Sequence, residues 1–192
     1  MLRKKLLFYL WICFFWLLEL GTCPGGTLVT IETQKANLTL ALLERFVRLE
    51  SRLRNHSRYR VLLLLPKTRT AFQDQKLVNE SVLEFFKQHD IFEIKVVSSW
   101  EEALRELKRG SYDIFYLAGL VPHMKDLLTE ATREGVLTVS HLTELVPKGL
   151  ALSLDLDRRR ACILANAETW AILSLKIPPR FYQKICFVSD QR

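Results

Sequence analysis

An unbroken apolar run that ends at a proline constrains the fold of this chain more than any other segment. Residues 60–66 are Arg-Val-Leu-Leu-Leu-Leu-Pro, and Lys67 and Thr68 follow. A short apolar run that stops at a breaker is typical of a strand buried on both faces, as at the centre of a parallel sheet. Because both faces must be covered, the run predicts an α/β domain with helices on either side of the sheet.

Strand-like and helix-like patterns alternate over the rest of the chain. Three more apolar strands are predicted at residues 91–97, 114–117 and 136–139. Helical periodicity occurs before and between the strands, at about residues 32–53, 72–89, 99–110 and 122–135. Alternation of this kind builds a mainly parallel sheet with right-handed crossovers.

The rhythm changes near the C-terminus. Residues 150–156 alternate apolar and polar side chains, and residues 161–165 are expected to pair back against them in antiparallel fashion. Short helices are predicted after Asn166 and at residues 181–185. The fold class is therefore α/β: a single Rossmann-like, mainly parallel sheet with helices on both faces and a C-terminal antiparallel edge hairpin.

The N-terminus has the three parts of a secretory signal peptide. Basic residues at positions 3–5 precede an apolar run at residues 6–18, and small residues with a proline follow. As a helix the run would reach about 20 Å, which is short of the ~30 Å hydrocarbon core. We predict a signal peptide at residues 1–26, an α/β domain at residues 27–192 and a periplasmic location. An uncleaved anchor and lipidation of Cys23 are the alternatives.

The composition limits the classes of function. The chain has 192 residues and a formal net charge of +7, which is enough for one core but too weakly basic for a nucleic-acid-binding stripe. Dinucleotide, phosphate-loop, metalloprotease and hydrolase motifs are missing from the sequence. The four histidines are scattered and are interpreted as solvated or capping residues. We therefore expect no enzymatic activity, no metal, no cofactor and no nucleic-acid partner.

The first predicted helix carries two apolar stripes. The first consists of Leu38, Leu42, Phe46, Leu49 and Leu53, and the second of Ala36, Leu40, Leu43 and Val47. We expect the sheet to cover the first stripe. The second stripe then needs another helix or a second protomer, so a homodimer is one of the alternatives.

Open α/β sheets bind ligands beyond the carboxyl ends of their strands, which locates a candidate ligand or partner surface. The residues that follow the first, third and fourth strands there are Lys67, Thr68, Arg69, Gly119 and Ser140. A basic run, Arg158, Arg159 and Arg160, is either a solvated turn or a docking patch for an acidic partner or lipid surface.

Two cysteines lie in the predicted domain near its C-terminus. Cys162 and Cys186 both have apolar neighbours in the sequence. We favour two buried free thiols, and a disulfide between them is the alternative in an oxidising compartment.

The order of these segments resembles the YfiR-type family of bacterial periplasmic regulatory proteins. The similarity runs over about residues 33–187. It is carried by residues 35–36 and 43–46 in the first helix, the strand at residues 61–65, the segment 112–117, residues 136–140 (Val-Leu-Thr-Val-Ser), Asn166, and residues 175–177. The strand at residues 136–140 together with Asn166 is the most specific part.

The resemblance implies an exported, non-enzymatic regulator. The family's namesake binds the periplasmic sensor domain of a membrane diguanylate cyclase and represses it, so the expected partner is a membrane-bound sensor or another envelope protein in cyclic-di-GMP signalling. Members of the family look dimeric, so the resemblance also implies a homodimer. The alternative from another class is a periplasmic small-molecule (solute) binding component or sensor, similar to a single lobe of a transporter's solute receptor.

Overall fold

The computed structural model describes residues 31–67, 73–156 and 162–189. Two sets of predictions lie outside these ranges. The first is the signal peptide, with its alternatives of an uncleaved anchor and a lipidated Cys23, and the second is the basic run Arg158, Arg159 and Arg160. In chain order the elements are α1 (Ile31–Leu49), β1 (Tyr59–Leu64), α2 (Gln73–Gln88), β2 (Phe92–Val97), α3 (Trp100–Arg109), β3 (Ile114–Leu117), α4 (Met124–Arg133), β4 (Leu137–Ser140), a 3-10 helix (Thr143–Lys148), β5 (Leu152–Asp155), β6 (Cys162–Asn166), α5 (Ala167–Ile172), α6 (Pro179–Tyr182) and β7 (Ile185–Val188).

The strands form one seven-stranded sheet in the order β2-β1-β3-β4-β5-β6-β7. Every neighbouring pair is parallel except β5 and β6, which are antiparallel. The predicted α/β fold class is confirmed. One strand was missed: β7 pairs in parallel with β6 and becomes the edge of the sheet, where the sequence pattern had predicted the end of a short helix.

Two apolar cores lie on opposite faces of the sheet, because successive side chains of a buried strand point to opposite sides. Alternate residues of β1 show the division: Leu63 belongs to the core beneath α1 and α2, and Leu64 belongs to the core beneath α3 and α4. Ser99 begins α3 by accepting a hydrogen bond from the backbone N–H of Glu102, as its sequence pattern predicts.

The first helix buries all four residues of the second stripe, which we expected to be left over, but only part of the first stripe, which we expected the sheet to cover. Ala36, Leu40, Leu43 and Val47 are fully buried. In the first stripe Phe46 and Leu53 are buried as well, whereas Leu38 is 42% exposed and Leu42 and Leu49 are half-buried. The domain's own core therefore covers the second stripe, and this stripe does not need a second protomer to bury it. Our expectation failed because spacing defines a helix face but does not say which of two apolar faces meets the sheet.

A disulfide joins Cys162 of β6 to Cys186 of β7. The preference for two free thiols is therefore wrong, and the alternative is what the structure contains. The missed strand explains the error. Once β7 lies beside β6, the two cysteines are on neighbouring strands and their Cα atoms are 6.2 Å apart, within the usual range for a disulfide.

Candidate functional site

The topology of the sheet creates a crevice beside β1. From β1 the chain crosses to β2 on one side, and β3 lies on the other side of β1. In open α/β sheets, a ligand-binding crevice forms at such a point, outside the carboxyl ends of the strands. Here the carboxyl ends of β1, β3 and β4 and the first turns of α1 and α2 surround a cavity of about 660 Å³. Its lining is Glu32, Lys35, Pro66, Lys67, Asp74, Gln75, Val78, Leu120, His141, Leu142, Thr143 and Glu144.

The candidate residues predicted from the strand ends fall into three groups. Lys67 lines the cavity. Gly119 and Ser140 lie in its supporting structure and not in the lining. Thr68 and Arg69 lie outside the described residues. The cavity therefore lies at the strand ends where the candidate surface was predicted, although not all of the residues expected there line it.

Ser140 supports the turn that follows β4. Its buried hydroxyl donates a 2.7 Å hydrogen bond to the carbonyl of Leu117 at the end of β3. The same oxygen accepts a 3.1 Å hydrogen bond from the backbone N–H of Leu142. Ser140 thus links the ends of two strands and orients the next residues of the chain, which enter the lining.

Two amide side chains of α2 hold the ends of β1 and β3. The Nε2 atom of Gln75 donates to the carbonyl of Ala118 at 2.7 Å and to Oδ1 of Asn79 at 2.9 Å. The Nδ2 atom of Asn79 donates to the carbonyl of Pro66 at 3.1 Å. The carbonyls of Ala118 and Pro66 lie beyond the ends of their strands, and these two amides supply their hydrogen bonds. The same bonds fix the first turns of α2 against the strand ends.

His141 lies in the lining and is the most unusual polar residue of the site. It is only 3% exposed, and its Nδ1 atom has no hydrogen-bond partner among the described residues. Burial lowers the pKa of His141 to about 4; Glu144 raises it and Lys35 lowers it, both by smaller amounts. The imidazole is therefore neutral near pH 7. The interpretation of the histidines as solvated or capping residues is wrong for His141.

Charges of both signs surround this imidazole. Lys35 and Lys67 are cationic, while Glu32, Asp74 and Glu144 are anionic. The ammonium group of Lys35 lies 3.7 Å from a carboxylate oxygen of Glu32. Apolar side chains, among them Val78 and Leu142, fill the spaces between these charges. An arrangement with an apolar wall and a few converging polar groups is typical of small-molecule sites.

Within residues 31–67, 73–156 and 162–189 there is no group of three or more histidine, cysteine, aspartate and glutamate side chains that could hold a metal ion. In the same ranges no helix combines the length and the apolar character that are needed to cross a membrane.

The comparisons with known proteins give similarity of structure without similarity of sequence. No family model matches the chain, and no curated protein matches it. Among solved structures it is similar to a ligand-free, open substrate-binding protein with adhesive properties from Clostridium difficile, at a TM-score of 0.60 and 12% identity over 81% of this chain and 60% of that one.

Two further solved structures are similar. A conserved domain protein from Vibrio cholerae has a TM-score of 0.59 at 10% identity, with 81% of this chain and 60% of that one covered. The ABC domain in complex with L-Trp from Streptococcus pneumoniae has a TM-score of 0.53 at 11% identity, with 80% and 62% covered. The chain thus spans only about 60% of the length of these proteins. At such low identities the similarity establishes the α/β fold alone.

Proposed function

We propose that this protein is an exported binding component or sensor that holds a small molecule in the cavity at the carboxyl ends of β1, β3 and β4. The observation that carries the proposal is the combination of a cavity at the crevice of the sheet with a buried histidine in its lining, His141, whose Nδ1 atom has no hydrogen-bond partner among the residues that the structure describes. A buried polar atom without a partner is costly, and a hydrogen bond from a ligand would remove that cost.

The structural neighbours also support a small-molecule binding component over a regulator of a membrane sensor. One of them is a substrate-binding protein and another was solved in complex with L-Trp. These are properties of those proteins. They favour the binding component over the regulator, because the shared fold is used there to hold small molecules.

Export is proposed on the sequence of the N-terminus and on the disulfide. Disulfides persist in oxidising compartments such as the periplasm and are rare in the cytosol. The Cys162–Cys186 bond supports the location that the signal-peptide pattern predicts.

Repression of a membrane diguanylate cyclase remains a hypothesis that rests on the resemblance to the YfiR-type family. The homodimer and the membrane-bound partner remain predictions with it. The two functions are compatible in principle, since a regulator can itself be controlled by a small molecule that binds one of its states.

The experiment is a thermal-shift panel on the purified chain with L-tryptophan, L-phenylalanine, glucose, citrate and adenosine monophosphate. A ligand at about 100 times its Kd stabilises the folded state by about 2.7 kcal/mol, which raises the Tm by several degrees. We expect at least one compound to do so. If none of the five shifts the Tm, the proposal is contradicted.

A matched pair of variants locates the binding. Thr143 is half-buried in the lining, and Thr129 is exposed on α4, on the other face of the sheet. Thr143→Phe should fill the cavity and abolish the shift, whereas Thr129→Phe should keep it. An equal shift in both variants would place the ligand elsewhere and refute the proposed site.

A further inference from the structure

The charged groups of the cavity allow the class of ligand to be inferred, and this inference rests on the proposed function. The cavity has a volume of about 660 Å³, and its lining includes a buried polar group, the imidazole of His141. The remaining question is which charge a bound molecule must carry.

His141 is the buried polar group of the lining, and the charged residues of the cavity are described relative to it. Its ring is buried in the lining and neutral near pH 7, so it offers one hydrogen-bond donor and one acceptor but no charge. Charge recognition must therefore come from the groups around it.

Two of these groups have opposite charges and act on the same imidazole. Lys35 comes from the first turns of α1, and Glu144 from the first turn of the 3-10 helix that follows β4. Both line the cavity, and both interact electrostatically with His141. A molecule bound in the cavity beside the imidazole therefore meets an ammonium group and a carboxylate in the same lining.

The other charges of the lining are also of both signs, with one cation and two anions. Lys67 follows β1, while Asp74 lies in the first turn of α2 and Glu32 in that of α1. Glu32 already contacts the ammonium group of Lys35 at 3.7 Å, so part of the charge is balanced within the lining. A ligand with only a carboxylate would still face the like charges of Asp74 and Glu144, and a ligand with only an ammonium group would face that of Lys67, which is unfavourable. A ligand with both charges can pair with groups of both signs.

We infer that the cavity binds a small zwitterion of the amino-acid type. Its carboxylate faces Lys35, its ammonium group faces Glu144, its polar head reaches the imidazole of His141, and its apolar part lies against Val78 and Leu142.

The test compares three related probes by isothermal titration: L-phenylalanine, N-acetyl-L-phenylalanine, which lacks the positive charge, and L-phenylalaninamide, which lacks the carboxylate. A charge-assisted hydrogen bond is worth about 1.5–3 kcal/mol, so removal of either charge should weaken binding by roughly 10-fold or more. Equal affinities for phenylalanine and for either derivative would overturn the inference.

Variants then assign each charge to its partner. In Glu144→Gln, N-acetylation should cost no more than about 3-fold, because the group that recognised the amine is already gone. In Lys35→Gln, amidation should lose its effect in the same way. Glu101→Gln and Lys125→Gln are the matched controls, since both residues are exposed on helices of the other face and should behave as the parent. An unchanged cost of N-acetylation in Glu144→Gln would reject the assignment.

Failure of this inference differs from failure of the proposed function. If none of the phenylalanine probes binds but another compound of the panel binds and is blocked by Thr143→Phe, the ligand class is wrong and the binding site is right. If no compound of the panel binds, the proposed function fails as well.

Discussion

A Cβ atom on Gly119 would lie 2.9 Å from Oε1 of Gln75, so the chain that leaves β3 approaches the first turns of α2 too closely for a side chain. The same Gln75 donates to the carbonyl of Ala118, the residue before the glycine. The close approach and the hydrogen bond are parts of one contact, which fixes the wall of the cavity between β3 and α2.

Gly119→Ala should therefore displace the amide of Gln75 and loosen this wall. The side chain is flexible, so we expect a loss of only about 1–2 kcal/mol, from the broken hydrogen bond and local repacking. Urea denaturation measures the loss. Gln75→Ala should cost clearly less in the Gly119→Ala background than in the parent, because the contact is already lost there. Strictly additive effects would contradict the account.

The disulfide predicts a dependence of stability on redox conditions. Cys162 and Cys186 are 24 residues apart in the sequence, and closing a loop of this size stabilises a fold by about 3 kcal/mol in the chain-entropy model. Urea titration of the parent with and without reductant should show that difference. The double variant Cys162→Ala/Cys186→Ala should be insensitive to reductant. Identical midpoints for the oxidised and reduced parent would show that the bond does not contribute.

The first helix provides a test of which stripe faces the core. Val47 is fully buried and Leu38 is 42% exposed on the same helix. Val47→Asp buries an unpaired charge and should cost several kcal/mol or prevent folding, whereas Leu38→Asp should stay within about 0.5 kcal/mol of the parent. Circular dichroism and light scattering report the outcome. A folded Val47→Asp monomer from a dimeric parent would restore the interface that the sequence first suggested.

His141 predicts a loss of stability in mild acid. Its pKa is about 4 in the folded protein and near 6.5 in the unfolded chain. Between these values the unfolded chain binds a proton that the folded protein does not. The contribution of His141 is therefore complete above pH 6.5 and is lost as the pH falls toward 4, by up to about 3 kcal/mol.

The charged groups around His141 do not reverse this direction, because burial outweighs the opposite effects of Glu144 and Lys35 on its pKa. His141→Phe keeps a ring but cannot titrate. Its stability, measured by urea denaturation from pH 7 to pH 4, should fall by less than that of the parent. Parallel curves for the two proteins would mean that the imidazole is not held neutral by burial.

The sequence was sufficient for six of the seven strands and for the place of the cavity, because both depend on strong local patterns. The apolar run at residues 60–66 and the strand–helix alternation predict a mainly parallel sheet, and the strand ends locate the cavity. Gly119 and Ser140 were found for this reason, although their roles are to hold the backbone.

What the sequence did not predict depends on contacts between distant segments. The strand Ile185–Val188 has too few residues to show a period, so the neighbouring cysteines and their bond were missed with it. His141 follows a buried strand directly, which was a usable signal. Its burial, however, depends on the packing of segments that are distant in the sequence, which no local pattern reports.

The most direct test of the account is an NMR titration of the histidine side chains with the compound that gives the largest thermal shift. The chain has four histidines, His56, His89, His123 and His141, and only the last lies in the cavity. The account predicts that the Cε1–Hε1 signal of His141 moves in proportion to saturation while the other three stay in place. A compound that binds with a measurable heat and leaves the His141 signal unchanged would contradict the assignment of this cavity as the binding site.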